Sequence, residues 1–188
     1  MNFMRIIFHI HEPDFSIESH GAVPGYFKKT IFRKNTHGFE LDAHIIEVGR
    51  SIVEVSSLHE LLFVSFPDSI EKSCGFKEPL NEYKITEFLK FSESLMLQER
   101  FWESHVILEN LWKLSEGNRK SYFQGLILLS ASMVQYQMGR ETKAYSIYQR
   151  SYELIQQSKI NSKLLDHLPH RFSYPISLNF ESMFPDQK

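Results

Sequence analysis

The chain has 188 residues, of which 42% are hydrophobic and 14% aromatic, and its net charge is −2. That is enough apolar material for one domain, or for one and a small second, and sixteen phenylalanines argue against a disordered chain. The near-neutral charge excludes a protein that holds nucleic acid along its whole surface, which would carry a strong positive excess.

The N-terminal run MRIIFHIH, 4 to 11, is interrupted by His9 and His11 and followed by Glu12, so it is no signal peptide. Its alternation predicts a strand with Ile6, Phe8 and Ile10 on one side and Ile7, His9 and His11 on the other. Residues 12 to 38, with Pro13, Gly21, Pro24, Gly25 and Gly38, read as loop with one short helix. HIIEVGRSIVEVS, 44 to 56, reads as two strands joined at Gly49 and Arg50, with a helix over Leu41 to Val48 as the competing reading. LLFVSF, 61 to 66, reads as a buried strand.

Two prolines and a glycine in PDSIEKSCGFKEPL, 67 to 80, mark a boundary. The lone cysteine, Cys74, lies here. One thiol can make neither an internal disulfide nor a cysteine-based zinc site, which points to a reducing cytoplasm and an inert side chain.

From Asn81 the pattern turns helical, with Asn81 as N-cap and Ile85, Phe88, Leu89, Leu95 and Met96 as an apolar stripe. A second helix is expected over 101 to 114, ending before Gly117. A third follows in SYFQGLILLSASMVQYQMG, 121 to 139, which has no charged residue. Its glutamines and serines fit a central bundle helix better than a membrane span, and Gly139 is a natural residue to end it. A fourth helix is expected over 141 to 158, with Ala144, Ile147, Tyr148, Tyr152 and Ile155 facing inward, and a short fifth over Ser162 to Leu168. The expected fold is α+β: a small sheet-containing domain over 1–70, a linker over 71–80, a four- to five-helix bundle over 81–170 and an irregular tail over 171–188. A weak echo at a spacing of 40 residues lays Arg100 on Arg140, Ser104 on Ala144 and Leu108 on Tyr148. Small residues at the crossing, followed four later by large ones, are how helix pairs of the tetratricopeptide type pack.

The stretch FWESHVILENLW, 101 to 112, concentrates chemistry. Trp102, His105, Glu109 and Trp112 are separated by three, four and three residues and form one stripe on a helix. Glu103 falls about one hundred degrees round from Trp102. A carboxylate beside an imidazole fixes its tautomer, and the pair can serve acid–base chemistry or ligate a metal. A metal would need a further ligand from another helix that the sequence does not name, and no cofactor is assigned. Gln124, polar in an apolar helix, is a candidate neighbour. The competing reading is a satisfied polar contact that fixes helix register.

These residues also resemble the domain of unknown function 309 family, over roughly 85 to 157. Phe101 and Trp102 sit at its aromatic step, and Glu103 and His105 at its Glu and His. Leu108, Glu109 and Trp112 stand at its Leu-Glu and Trp, and Gln124, Gly125, Leu126 and Ile127 at its Gln-Gly-Leu-Ile. Ser104 replaces the family's alanine, Val106 the glutamate after the histidine, and Gly139 with Arg140 the Gly-Asn turn. The loss of that glutamate argues against a two-carboxylate metal site. The resemblance implies an all-helical bundle and no established activity.

Two further features are weaker. His9 and His11 share a strand face and could ligate a metal if His44, His59 or a carboxylate converged. YFKKTIFRK, 26 to 34, interleaves Lys28, Lys29, Arg33 and Lys34 with Tyr26, Phe27 and Phe32, a composition that can bind nucleic acid weakly but more often forms a solvated face. No phosphate-binding glycine loop, nucleophile elbow or zinc-knuckle spacing is present. The leading expectation is a non-enzymatic interaction module in which Trp102, His105, Glu109, Trp112 and Gln124 line a pocket or subunit contact for a protein or small molecule, with homo-oligomerisation open and no membrane. The alternative is a metal-dependent or acid–base hydrolase with His105 as base, Glu109 orienting it and Glu103 as second acid.

Overall fold

The computed structural model describes residues 3–12, 14, 27–35, 38–67 and 81–158. The chain divides into two compact units, residues 1–73 with the short segment 137–139, and residues 74–136 with 140–188. The architecture is α+β, an N-terminal antiparallel sheet followed by a helical bundle. The linker 71–80 with Cys74, the helix expected over 162–168 and the tail lie outside the described residues.

In the first unit, β1 (Met4–His11), β2 (Lys28–Asn35), β3 (Gly38–Ile45) and β4 (Glu60–Ser65) form a sheet of order β2-β3-β1-β4, and α1 (Val48–Leu58) joins β3 to β4. Every neighbouring pair is antiparallel. As the alternation of β1 requires, Ile6, Phe8 and Ile10 point to one face. There they meet Phe39, Leu41, Ala43 and Ile45 of β3, and Val48, Ile52 and Val55 of α1. Gly38 stands opposite His11, where an added Cβ would lie 2.1 Å from the Ile10 carbonyl oxygen. Only glycine fits there.

Three expectations for this unit are corrected. A helix replaces the hairpin at Gly49 and Arg50, because Val48, Ile52 and Val55 recur at helical spacing and can all reach the sheet. On the outer side, Arg50 and Glu54 pair at 2.8 Å one turn apart. Residues 28–35, read as loop, form β2, with Lys29 at φ 50° inside a register shift between Lys28 and Ile31. β4 is an edge strand rather than a buried one. A shift between His9 and Ile10 of β1 leaves Leu62 and Phe63 of β4 51% and 42% exposed.

The second unit contains α2 (Glu82–Leu97), α3 (Phe101–Lys113), α4 (Gly117–Gln137) and α5 (Glu141–Gln157). Asn81 caps α2, its side chain accepting from the Lys84 amide at 2.9 Å. α4 begins earlier than the uncharged run suggested, and Tyr152 of α5 is exposed, since α5 buries the narrow stripe Ala144 and Ser151.

The echo at 40 residues has a structural counterpart in these turns. Glu99 and Gly139, forty positions apart, are both left-handed, at φ 59° and 70°. The amide of Arg100 donates to the Leu95 carbonyl at 2.9 Å, and that of Arg140 to the Gln135 carbonyl at 3.0 Å. α3 and α5 then begin at equivalent positions. Small residues hold α4 close to α5. A Cβ at Gly125 would come within 2.5 Å of the Ile155 side chain, and Ser151 donates to the Gly125 carbonyl at 2.8 Å.

Candidate functional site

α3 presents the predicted stripe. Its first turn carries Glu103, buried and clamped by Arg100 through Nε at 2.7 Å and Nη2 at 2.6 Å. A carboxylate here also meets the positive end of the helix dipole. Glu103 therefore sits on a different side of α3 from His105 and Glu109, tied to its own partner.

On the stripe, the Trp102 ring stacks on His105 with centroids 5.4 Å apart and planes 10° from parallel. The His105 Nδ1–H donates to the Ile127 carbonyl of α4 at 3.2 Å. That bond selects the tautomer and fixes the ring. Nε2 consequently faces the Glu109 carboxylate at 3.4 Å. The imidazole is mostly covered, with 15% of its side chain exposed, whereas Glu109 keeps 45%. One helical turn on, Lys120 at the start of α4 places its ammonium 4.7 Å from the centre of the Trp112 ring. The buried Trp112 Nε1–H has no acceptor among the described residues. Trp102, His105 and Glu109 are thus brought together, and Trp112 follows three residues after Glu109 on the same helix, covered by Lys120. Gln124 lies on α4 without a hydrogen bond to the pair, and the backbone of Ile127 takes the place expected for its amide.

Lys120 is a contributor the sequence reading missed. A lysine in a polar turn carries no sign of the ring it covers until α3 and α4 are packed.

The sheet holds a second polar assembly, also unforeseen, on the face opposite the hydrophobic core. Arg33 of β2 stands across from Glu40 of β3, donating to it through Nε at 2.7 Å and to Asp42 through Nη1 at 2.9 Å. Arg5 of β1 reaches Asp42 from the other side, Nε to Oδ1 at 2.9 Å. Arg33, Glu40 and Asp42 are almost wholly buried. Burial pulls the Arg33 guanidinium down, but the charges of Glu40 and Asp42 more than offset it and hold it above its ordinary value. Burial likewise pushes Asp42 up, yet the Arg5 hydrogen bonds and the Arg33 charge hold its carboxyl below the usual carboxylate range. A period-two signal existed in FELDAHI, where Glu40, Asp42 and His44 alternate with Phe39, Leu41, Ala43 and Ile45.

His9 lies on this polar face, between Glu40 and Ser65. His44 is four residues along β3 from Glu40. His59 contacts Glu12 at 3.1 Å and the edge of Phe39, a residue of the apolar face. In the basic–aromatic stretch, Lys28, Lys29 and Lys34 are exposed, but Arg33 is enclosed in its ion pairs. Phe27 stacks on Phe8 and Phe32 lies against Phe39, so both rings are turned to the core.

No helix among the described residues is long and apolar enough to cross a membrane. No curated protein and no solved structure matches the chain. The segment that carries the Trp102–His105–Glu109–Trp112 stripe does have a counterpart: residues 89–147 match the family model described as Domain of unknown function (DUF309).

Proposed function

We propose that the helical unit is a non-enzymatic binding module whose α3 stripe receives a segment of a partner protein, one that sets a basic side chain beside an apolar one. The observation that carries this reading is the contrast within the stripe. His105 is immobilised by the Ile127 carbonyl and the Trp102 ring, while the neighbouring Glu109 carboxylate stays 45% exposed. A rigid aromatic platform with an accessible charge at its edge is the composition of an interaction hot spot.

The hydrolase alternative draws less support. Both ring nitrogens of His105 face groups of its own chain, and Glu103 is occupied by Arg100 on another side of the helix. A catalytic base needs a nitrogen open to substrate or set on a nucleophile, and the two nitrogens of His105 face only a backbone carbonyl and a carboxylate. Weak nucleic-acid binding would rest on Lys28, Lys29 and Lys34 without the aromatic stacking that usually accompanies it. The repeated turns and small-residue crossings favour helix pairs of the tetratricopeptide type. The domain limits 1–70 and 81–170, with a linker between, and a cytoplasmic location complete this proposal.

The test is selection of a random peptide library on the purified protein, followed by titration of enriched peptides by tryptophan fluorescence. Basic–apolar peptides should bind the parent chain and weaken at least tenfold with Glu109→Gln and Trp112→Phe. Failure to enrich peptides, or binding indifferent to both substitutions, rejects the module. Sizing over a range of concentrations tests whether a second copy of the chain is the partner instead.

A further inference from the structure

The polar face of the sheet holds a second arrangement with chemical consequences. Antiparallel register sets His9 of β1 directly across from Glu40 of β3 on one side and Phe63 of β4 on the other. Ser65, two residues beyond Phe63, points to the same face. Its Oγ lies 3.1 Å from His9 Nε2. The opposite ring nitrogen, Nδ1, lies 3.4 Å from Glu40 Oε1. Hydroxyl, imidazole and carboxylate therefore stand in line, each contributed by a different strand.

Two further contacts hold the imidazole and carboxylate in place. Phe63 stacks on the imidazole at 4.1 Å between centroids, 16° from parallel, which restrains its plane. Arg33 binds the other oxygen, Oε2, of Glu40 at 2.7 Å, leaving Oε1 toward His9. Here the ring has a hydroxyl at one nitrogen and an oriented carboxylate at the other. That is the relation by which nucleophile, base and orienting group are recognised, irrespective of fold or order in the chain.

We propose that Ser65 is a nucleophile activated by His9 and oriented through Glu40, and that it accepts the acyl group of a small carboxylic ester. Ser65 Oγ attacks the ester carbonyl carbon as its proton passes to His9 Nε2. The carbon–oxygen bond to the alcohol breaks, and His9 returns the proton to the departing alkoxide. The products are an alcohol and acyl-Ser65. Water then attacks the acyl carbonyl and gives its proton to His9. The acid leaves as Ser65 recovers that proton, so one ester and one water become one acid and one alcohol. Glu40 stabilises the imidazolium present between the two transfers. The size limit follows from burial. Ser65 ends the edge strand with 7% of its surface exposed, beside the apolar Ile7 and Phe63.

All three residues of the site lie on strands of the sheet, and none belongs to the α3 stripe. The experiment treats the full chain with a small fluorophosphonate and locates the adduct by peptide mass mapping. Ser65 should be phosphonylated in the folded protein, and Ser65→Ala should carry no adduct. His9→Gln should slow labelling at least 100-fold, in line with the contribution of a general base. The same protein unfolded in guanidinium serves as a second control, should His9→Gln fail to fold. An activated serine loses its reactivity on unfolding, whereas labelling that owes nothing to the folded arrangement persists or increases. Absence of adduct at Ser65 in the folded chain overturns the proposal. So does labelling that persists in a folded His9→Gln variant or increases on unfolding.

Discussion

The hydroxyls of Ser92 and Ser104 meet at 2.7 Å where α2 crosses α3, and forty residues later Ser132 of α4 donates to the Ala144 carbonyl of α5 at the same distance. All four residues are buried. Each hairpin thus closes on a small residue that brings two backbones together and satisfies its own hydroxyl in doing so.

That relationship predicts non-additive mutations. Ser92→Ala or Ser104→Ala alone leaves a buried hydroxyl without its partner and should cost about 1–3 kcal/mol. The double variant should cost clearly less than the two singles together. Urea denaturation of the four proteins in a double-mutant cycle measures this, and strict additivity would count against a direct Ser92–Ser104 bond.

Gly125 is predicted to resist enlargement. An alanine Cβ would press on Ile155, and since the backbone nitrogen of Ile155 and carbonyl of Ser151 stand at 3.2 Å, the helices must separate slightly. Gly125→Ala should destabilise by about 1–3 kcal/mol even though alanine favours helix. Shortening Ile155 to valine should recover part of that loss in a thermal melt.

The ion pairs on the sheet should show in acid. Asp42 is held below its ordinary value of 3.8, so its stabilisation is complete above that pH and fades as pH falls through the lower folded value. Asp42→Asn should flatten the acid limb of a denaturant-midpoint profile. Arg33→Met, which leaves two carboxylates buried beside each other, should cost about 3–5 kcal/mol at neutral pH.

An alkaline limb should arise from Tyr122. Burial pushes its hydroxyl from 10.0 up to about 12. The folded state therefore keeps its full advantage below pH 10 and loses it as pH rises toward 12. Tyr122→Phe should weaken that loss, read as the difference in urea midpoint between about pH 9 and pH 11.

Glu109 separates binding from structure. As a half-exposed partner of His105, it should contribute less than about 1 kcal/mol to folding, so Glu109→Gln should leave the melting temperature nearly unchanged. A large drop would make the pair a structural lock, contrary to the proposed recognition edge.

The local signals of the sequence were strong where periodicity ran long. Ile6, Phe8 and Ile10 alternate, Asn81 caps, and Trp102, His105, Glu109 and Trp112 recur at helical steps. These determined β1, the helices of the bundle and the shared face of the stripe, because side-chain direction within one element follows from its period alone. Short mixed segments were less legible. GRSIVEVS carries β-branched residues that suit a strand, and only the sheet, offering a surface to Val48, Ile52 and Val55, made it a helix. Register between strands was invisible as well. Nothing local states that residue 9 will face residue 40 and lie beside residue 65, or that Arg33 will fold inward to join Glu40 and Asp42. Those meetings depend on loop closure and long-range pairing, in which the gain comes only after distant segments have come together. The sequence by itself therefore determined the elements and the face each side chain takes, and the tertiary structure decided which of those faces became neighbours.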